Sequence, residues 1–319
     1  MFSWLFYIIL AFLLWRVAIP VSLIAFRYTF RRKWYSKRKQ LRHAGEWAIV
    51  TGATAGIGKA YAEELASDGL NVMIISRVQE KLDAFAKELR EQYGIQVRCV
   101  QVDFTQLDFT TVAYKSFFFQ LDIYEKLKQE IDQLTSIACL VNNVGMVNQY
   151  PLSFPFSSGM SPKDIGNFVA CNCVSMASMT HIVLPKLFQQ NSGAALINIS
   201  SFTGCTPLPY ISLYSGTKAF DRQLSASLTV ELMDHNVIVQ TVCPMFVATA
   251  MVGNRRGFFV IDPREYARSA LDMLGVENVT DGHWRHAIQA FVFSFLPMSC
   301  FIHSMEKKFL RSSRRSLLQ

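Results

Sequence analysis

The 319-residue sequence has no Cys-x-x-Cys pair, no ligand cluster among its six histidines, no internal repeat and no low-complexity linker. The first two absences argue against a structural metal site, which draws its ligands in closely spaced sets. The last two argue against a solenoid or a string of tethered modules. Seven cysteines, scattered and odd in number, do not read as a disulfide framework and fit a reducing compartment. Cys99, Cys139 and Cys243 fall in apolar runs as small core residues. Cys171 and Cys173 flank Asn172 with no histidine spaced to share a metal, so none is expected. Charge is also missing where a nucleic-acid binder would need it. The net charge is +8, yet residues 27–42 alone carry eight Lys or Arg and no acid, and the remainder holds 24 basic against 24 acidic residues. No basic face spreads over a folded domain, and no nucleic-acid partner is expected.

What the chain does have is apolar surface, concentrated at its ends. Hydrophobic residues make up 51% and the mean hydropathy is +0.20. Phe2 to Phe26 is apolar apart from Arg16 and a few small polar groups. At helical rise such a segment is roughly 37 Å long, enough to cross a bilayer. Arg16 near its centre costs roughly 2.5–3.5 kcal/mol, which the many Phe, Leu and Ile residues offset. The basic residues follow the apolar run and no small-residue cleavage site ends it, which is the reverse of a signal peptide. The expected organisation is a membrane anchor at 1–26, a basic juxtamembrane linker at 27–45, a catalytic domain at 46–286 and an apolar, then basic, membrane-proximal segment at 287–319. The linker's charge keeps it and the domain in the cytosol and suits anionic head groups. Ala287–Ile302 contains Pro297 and is short for a span, so a membrane-dipping or substrate-covering helix is expected, with the Lys307–Arg315 tail at the same surface.

Between the ends, apolar runs of five to seven residues alternate with helical patterns. Strands are expected at 46–51, 70–76, 95–102, 137–142, 194–200 and 237–243. Helices are expected at 57–68, 78–92, near 121–134, at about 164–190 and from Tyr214 to about Met233. Continuous apolar strands separated by helices read as a parallel sheet covered on both faces, a Rossmann-type doubly wound α/β fold.

Two motifs carry the chemistry. Residues 47–58 read Trp-Ala-Ile-Val-Thr-Gly-Ala-Thr-Ala-Gly-Ile-Gly, an apolar strand running into Gly52, Gly56 and Gly58 and then a helix. Such glycines let the backbone approach a pyrophosphate, and the helix N-terminus offers N–H groups to the anion. The second motif is Asn198-Ile-Ser-Ser-Phe followed by Tyr214-Ser-Gly-Thr-Lys218. Tyr and Lys four apart share a helix face. A nearby ammonium favours the phenolate, and a tyrosine so tuned can exchange a proton with a carbonyl–alcohol pair.

Together the motifs resemble the short-chain dehydrogenase/reductase family, with further matches in order. Asn142-Asn143-Val144-Gly145 follows the strand 137–141, Asn172 lies in Asn-Cys-Val-Ser-Met, and Pro244, Val247 and Thr249 follow the strand 237–243. The likeness covers residues 46 to 290. Gly56-Ile-Gly-Lys-Ala-Tyr-Ala-Glu-Glu-Leu65, Ile75-Ser-Arg77 and Val247-Ala-Thr249 further resemble the branch of 17β-hydroxysteroid dehydrogenases types 3 and 12 and very-long-chain 3-oxoacyl-CoA reductases. An N-terminal membrane segment is usual there, and the resemblance implies the endoplasmic reticulum membrane.

The resemblance implies NADPH/NADP as cofactor, held by Gly52, Thr54, Gly56, Ile57, Gly58, Arg77, Asp103, Asn143, Tyr214, Lys218, Pro244, Val247 and Thr249. Arg77 follows the second strand with Ser76 rather than an acid beside it, which suits a 2′-phosphate. Asp103 has two readings, facing the adenine ring or capping a strand end. The implied mechanism is ketone reduction in which Tyr214 protonates the oxygen and Ser201 hydrogen-bonds it. Lys218 binds the nicotinamide ribose, and Asn172 positions a relay water. Ser201 is preferred over Ser200 on spacing. The substrate is an apolar ketone, either an oxoacyl-CoA or a 17-ketosteroid, and a homodimer is compatible with the family. A catalytically silent, lipid- or partner-binding relative is the alternative of another class. An insertion near 107–121 includes Phe117-Phe118-Phe119, which reads either as a contact for membrane, partner or substrate or as a local hydrophobic plug.

Overall fold

In a computed structural model the described residues are 2–105, 114–147, 160–190, 192–253, 255–297 and 299, with backbone alone for Phe2, Ser3, Ile9 and 114–122. The basic tail from Lys307 and residues 106–113 of the insertion lie outside them. Seven strands, β1 Trp47–Thr51, β2 Asn71–Ser76, β3 Val97–Gln101, β4 Ile137–Asn142, β5 Ala194–Ile199, β6 Val237–Val242 and β7 Val279–Thr280, form one sheet. Every pairing is parallel and the order is β3-β2-β1-β4-β5-β6-β7. The Rossmann-type fold read from the sequence is therefore the fold observed.

Strand alternation divides the core into two layers. Val50, Ile74, Val141 and Ile197 pack against the helices Gly56–Ser67, Gln79–Tyr93 and Pro263–Asp272 through Leu65, Leu82, Leu89 and Tyr266. Ile49, Ile75, Leu140 and Leu196 face the opposite layer, where Leu127, Met179, Val183 and Leu228 cover them. The reversal of strand order beside β1 and β4 opens a crevice at their carboxyl ends, the place where such sheets bind ligands.

Two helices differ from expectation. The one expected near 121 begins at Tyr114, so Phe117, Phe118 and Phe119 of the insertion are helical. Helix Pro162–Val169 passes through a wider turn, Ala170–Val174, into Ser175–Phe188. This second long apolar helix is over half buried against the sheet, so its hydropathy is that of a core element.

The N-terminal helix is apolar enough to cross a membrane and is almost bare of protein contacts along its apolar window. Its base is fastened to the domain. Ile24 and Tyr28 pack with Met273, Val276 and Ala287, and Arg27 Nη1 donates to Glu277 Oε1 at 2.7 Å. Residues 27–45, expected as a linker, are helical to Tyr35 and then pinned by Arg38, which donates to Glu64, Asp68 and Asp272. Glu64 is 1% exposed and also accepts from Arg264 and Arg268. Burial alone would raise its carboxyl, but the three guanidinium groups outweigh burial and hold it at about 2. A carboxyl held below its unfolded value stabilises the fold above that value and loses the contribution as pH falls toward the folded one. Glu64→Gln is expected to cost about 3 kcal/mol at neutral pH, with the gap to wild type closing as pH falls below 4.5 toward about 2. Urea unfolding at neutral and acid pH reads this. A constant gap would reduce the contact to packing.

Candidate active site

The candidate residues come from separate parts of the chain and meet at one edge of the sheet. Gly52 follows β1, Arg77 follows β2, Asn143 follows β4, Ser201 lies two residues past β5, and Pro244 lies two past β6. Parallel strands point their carboxyl ends the same way, so the sheet gathers these positions.

The glycine turn is built for close approach. Gly52 has φ +64°, open to glycine without strain. A methyl group at Gly58 would overlap the Asn143 amide and the Gly52 carbonyl. Asn143 closes the turn from the other side: its Nδ2 donates to Thr51 O at 2.9 Å and its backbone N–H to Thr51 Oγ1 at 3.0 Å. Ile57 and Gly58 stand in the first turn of helix Gly56–Ser67, whose N-terminus opens onto the crevice. Thr54 Oγ1 is 2.7 Å from Ser76 Oγ, tying the turn to the end of β2. Arg77, next along, is exposed, and no hydrogen bond or ion pair holds its guanidinium among the described residues. Asp103 accepts from the backbone and hydroxyl of Thr105 at 2.9 and 2.7 Å, the strand-end turn that was one of its two readings. The segment after Pro244 folds back over the glycines. Val247 is buried and bridges to Ile261, and the Thr249 methyl group lies 3.0 Å from where a side chain at Gly56 would start.

Lys218 of the second motif reaches the loop after β4, where a side chain on Gly145 would begin 3.4 Å from its Nζ. Tyr214 and Lys218 occupy successive turns of helix Ser212–Glu231, and Tyr214 acts electrostatically on Lys218. Lys218 is buried, and its Nζ donates to Ile199 O and Asp221 Oδ2, each at 2.9 Å. Burial would drive the proton off this ammonium, but Asp221 and Tyr214 reverse the effect and raise its pKa. Ser201 Oγ accepts from Thr203 N at 3.2 Å and Thr203 Oγ1 at 3.1 Å, while Ser200 Oγ donates to Lys218 O at 2.7 Å. The two serines thus face different ways, and Ser200 has a structural bond of its own. Asn172 lies on the widened turn Ala170–Val174, a departure from α geometry that recurs at functional sites. Its side chain accepts from Met146 N at 2.8 Å and donates to Met146 O and Thr217 Oγ1. Asn172 therefore fixes the loop after β4 against the Tyr214 helix.

Similarity to known proteins agrees with this geometry. The short chain dehydrogenase family matches residues 46–257. That span includes every candidate residue. The chain belongs to the short-chain dehydrogenase family. It is 38% identical over 264 residues to a very-long-chain 3-oxoacyl-CoA reductase of Anas platyrhynchos, covering 82% of this chain and 80% of that protein. It is also 34% identical to the Homo sapiens inactive hydroxysteroid dehydrogenase-like protein 1, covering 82% and 76%. Among solved structures, a short-chain dehydrogenase from Sphingobium yanoikuyae in complex with NADPH superposes with a TM-score of 0.63 at 27% identity, over 73% of this chain and 86% of that one. The chain is thus a short-chain dehydrogenase oxidoreductase with the family's parallel sheet.

Three residues around this short-chain dehydrogenase site escaped the sequence reading. Thr51, inside an apolar strand, accepts at its hydroxyl oxygen from the backbone N–H groups of Asn143 and Val144. His286 is fully buried and burial lowers it to about 4. As a neutral ring it accepts from Met245 N and donates to Phe246 O, holding the start of the loop after β6. Asp221 is the third; its i+3 spacing from Lys218 was the available signal.

Proposed function

We propose that the chain is a membrane-anchored, NADPH-dependent reductase of apolar ketones, with very-long-chain 3-oxoacyl-CoA as substrate. What supports this reading is the meeting of Lys218 and Asn172 at Gly145, with Tyr214 one turn before Lys218 and Ser201 just past β5, in a chain similar to reductases of that name. The crevice fits a dinucleotide phosphate. The Gly58 cradle leaves no room for a side chain, a helix N-terminus opens onto it, and Arg77 stands exposed with no acid beside it. When bound, the cofactor supplies a hydride to the ketone carbon. Tyr214 gives its phenolic proton to the oxygen as charge develops there. Ser201 donates a hydrogen bond to the same oxygen, favouring the charged transition state over the neutral ketone. Lys218 keeps an N–H for a ribose hydroxyl beyond its two protein partners. Asn172, bracing the loop after β4, keeps that wall in register with the Tyr214 helix.

The apolar substrate class is supported by the surface around the crevice. Phe246, Met251, Phe258 and Phe259 on the loop after β6 are all exposed. Helix Trp284–Phe293 ties this loop to the anchor. His286 holds its start, and the Phe293 ring lies tilted 5.7 Å from that of Phe202, the residue after Ser201. Its next face, Ala287 with Ile288 and Phe291, lies against Ile24 and Tyr28, and Phe295 sits 5.2 Å beneath the Arg16 guanidinium. That cation–π contact gives the arginine of the apolar segment a partner. Trp284, Phe258 and Arg285 cluster at the other end of the helix, an aromatic and basic group suited to a lipid–water interface. This apolar surface beside the anchor suits an acyl chain presented from the bilayer.

The reading also puts the domain on the cytosolic face of the endoplasmic reticulum, because residues 27–42 resist translocation. In sealed microsomes, added protease is expected to remove the domain, and exposed Asn278 of Asn278-Val-Thr to remain unglycosylated. Protection that disappears only with detergent would reverse the topology. For the substrate, NADPH consumption by the full chain in lipid is measured across 3-oxoacyl-CoA of increasing length and 17-ketosteroids. kcat/KM is expected to rise with chain length. A higher value for the steroid would replace the acyl substrate, and no turnover on either would favour a silent relative.

A further inference from the structure

Asp221 is a buried carboxylate with little to hold it. It is 2% exposed, its Oδ2 accepts from Lys218 Nζ at 2.9 Å, and its Oδ1 is buried with no hydrogen-bond partner among the described residues. A carboxylate with one oxygen unsatisfied is an expensive group to bury, and filling space alone does not account for it. What the carboxylate does provide is a counter-charge to an ammonium that is itself 4% exposed. Lys218 spends two N–H groups on Asp221 and Ile199 O, and a side chain on Gly145 would begin 3.4 Å from its Nζ. Asp221 therefore pins the lysine without using the face turned to the loop after β4.

We propose that Asp221 is a positioning residue that keeps the Lys218–Tyr214 pair loaded with both its protons, and so holds the site in the form that reduces a ketone. The proposal rests on the reductase reading. The titratable groups facing the pair are Cys171 and Cys173 on the neighbouring widened turn, with Tyr214 on the pair's own helix, while β5 offers only the Ile199 carbonyl. Asp221 is thus the acid in contact with the ammonium. Reduction needs a phenol that still carries its proton and an ammonium that still binds a ribose hydroxyl. The two groups interact, so their protons leave in steps that belong to the pair. Removing the negative charge favours loss of the first proton, whether the buried ammonium gives it up or the now uncompensated ammonium draws it from the phenol. Either route empties the reducing form at lower pH.

The test uses the full chain with Asp221→Asn, Asp221→Leu and Asp221→Glu, and two readouts across neutral to alkaline pH. One is NADPH affinity by fluorescence, which needs no substrate. The other is reductive kcat/KM. At the alkaline pH where wild type keeps half its neutral value, Asp221→Asn is expected to keep about a tenth, the size of effect given by removing an opposite charge in direct contact. Asp221→Leu should match it, and Asp221→Glu should recover most of the loss. Thermal unfolding identifies any variant that fails to fold, and Asp221→Asn, which keeps an amide oxygen for the Lys218 ammonium, covers that outcome for Asp221→Leu, which leaves the buried ammonium without that partner. Folded Asn and Leu variants with wild-type pH dependence in both readouts would overturn the proposal and leave Asp221 a packing residue. If no ketone is reduced even by wild type, the reductase reading fails, and the pH dependence of NADPH affinity still decides the role of Asp221.

Discussion

Tyr214→Phe is expected to abolish ketone reduction while NADPH still binds. The substitution removes one oxygen and its proton and leaves the ring, the helix and Lys218 in place. Lys218 keeps its bonds to Ile199 O and Asp221, neither of which involves the phenol. Loss of a general acid at the reacting oxygen lowers the rate by about two to four orders of magnitude. Steady-state kcat with a 3-oxoacyl-CoA, beside NADPH fluorescence titration, separates the two effects. Near-wild-type turnover in folded Tyr214→Phe would remove the tyrosine from the mechanism. Loss of binding and turnover together would make it a structural residue.

Arg77→Asp is expected to invert cofactor preference. The exposed guanidinium follows β2, and Thr54 and Ser76 beside it bring hydroxyls rather than charge. A charge-assisted bond to a 2′-phosphate contributes roughly 1.5–3 kcal/mol, a preference of about 10- to 150-fold for NADPH over NADH. An aspartate there repels the phosphate and can accept from ribose hydroxyls, so NADPH loses while NADH holds or gains. The ratio of kcat/KM for the two cofactors reads this directly. Equal use of both by wild type would contradict the role given to Arg77.

The parts of this site that were legible in the sequence are those set by the chain's local geometry. A strand ending in Gly52, Gly56 and Gly58 has few alternatives to a tight turn, and β1 and β4 fall within a residue of their expected limits because their apolar runs are bounded by turn residues. Tyr214 and Lys218 share a face because helical spacing requires it. What stayed hidden depends on distant partners. Thr51 looks like a strand residue until Asn143 arrives from the end of β4. His286 looks like one of several polar residues before an apolar run until Met245 and Phe246 meet it. Arg38 was counted with a basic linker, and its three carboxylate partners come from two helices more than twenty residues away. The widened turn at Asn172 has no sequence period of its own. The helix from Tyr114 starts earlier than expected because an aromatic run reads equally as loop or helix. Strand β7 is two residues long, too short to leave a pattern.

We propose that this chain moves a hydride from a nicotinamide to the keto carbon of an apolar acyl thioester, with Tyr214 supplying the proton. The direct measurement uses NADPH carrying deuterium at the transferred C4 position, the full chain in lipid vesicles and a very-long-chain 3-oxoacyl-CoA, with mass analysis of the product. The account predicts one deuterium at C3 of a 3-hydroxyacyl-CoA of single configuration, formed about two to four orders of magnitude more slowly by Tyr214→Phe. Product without deuterium, or equal product from Tyr214→Phe, would contradict it.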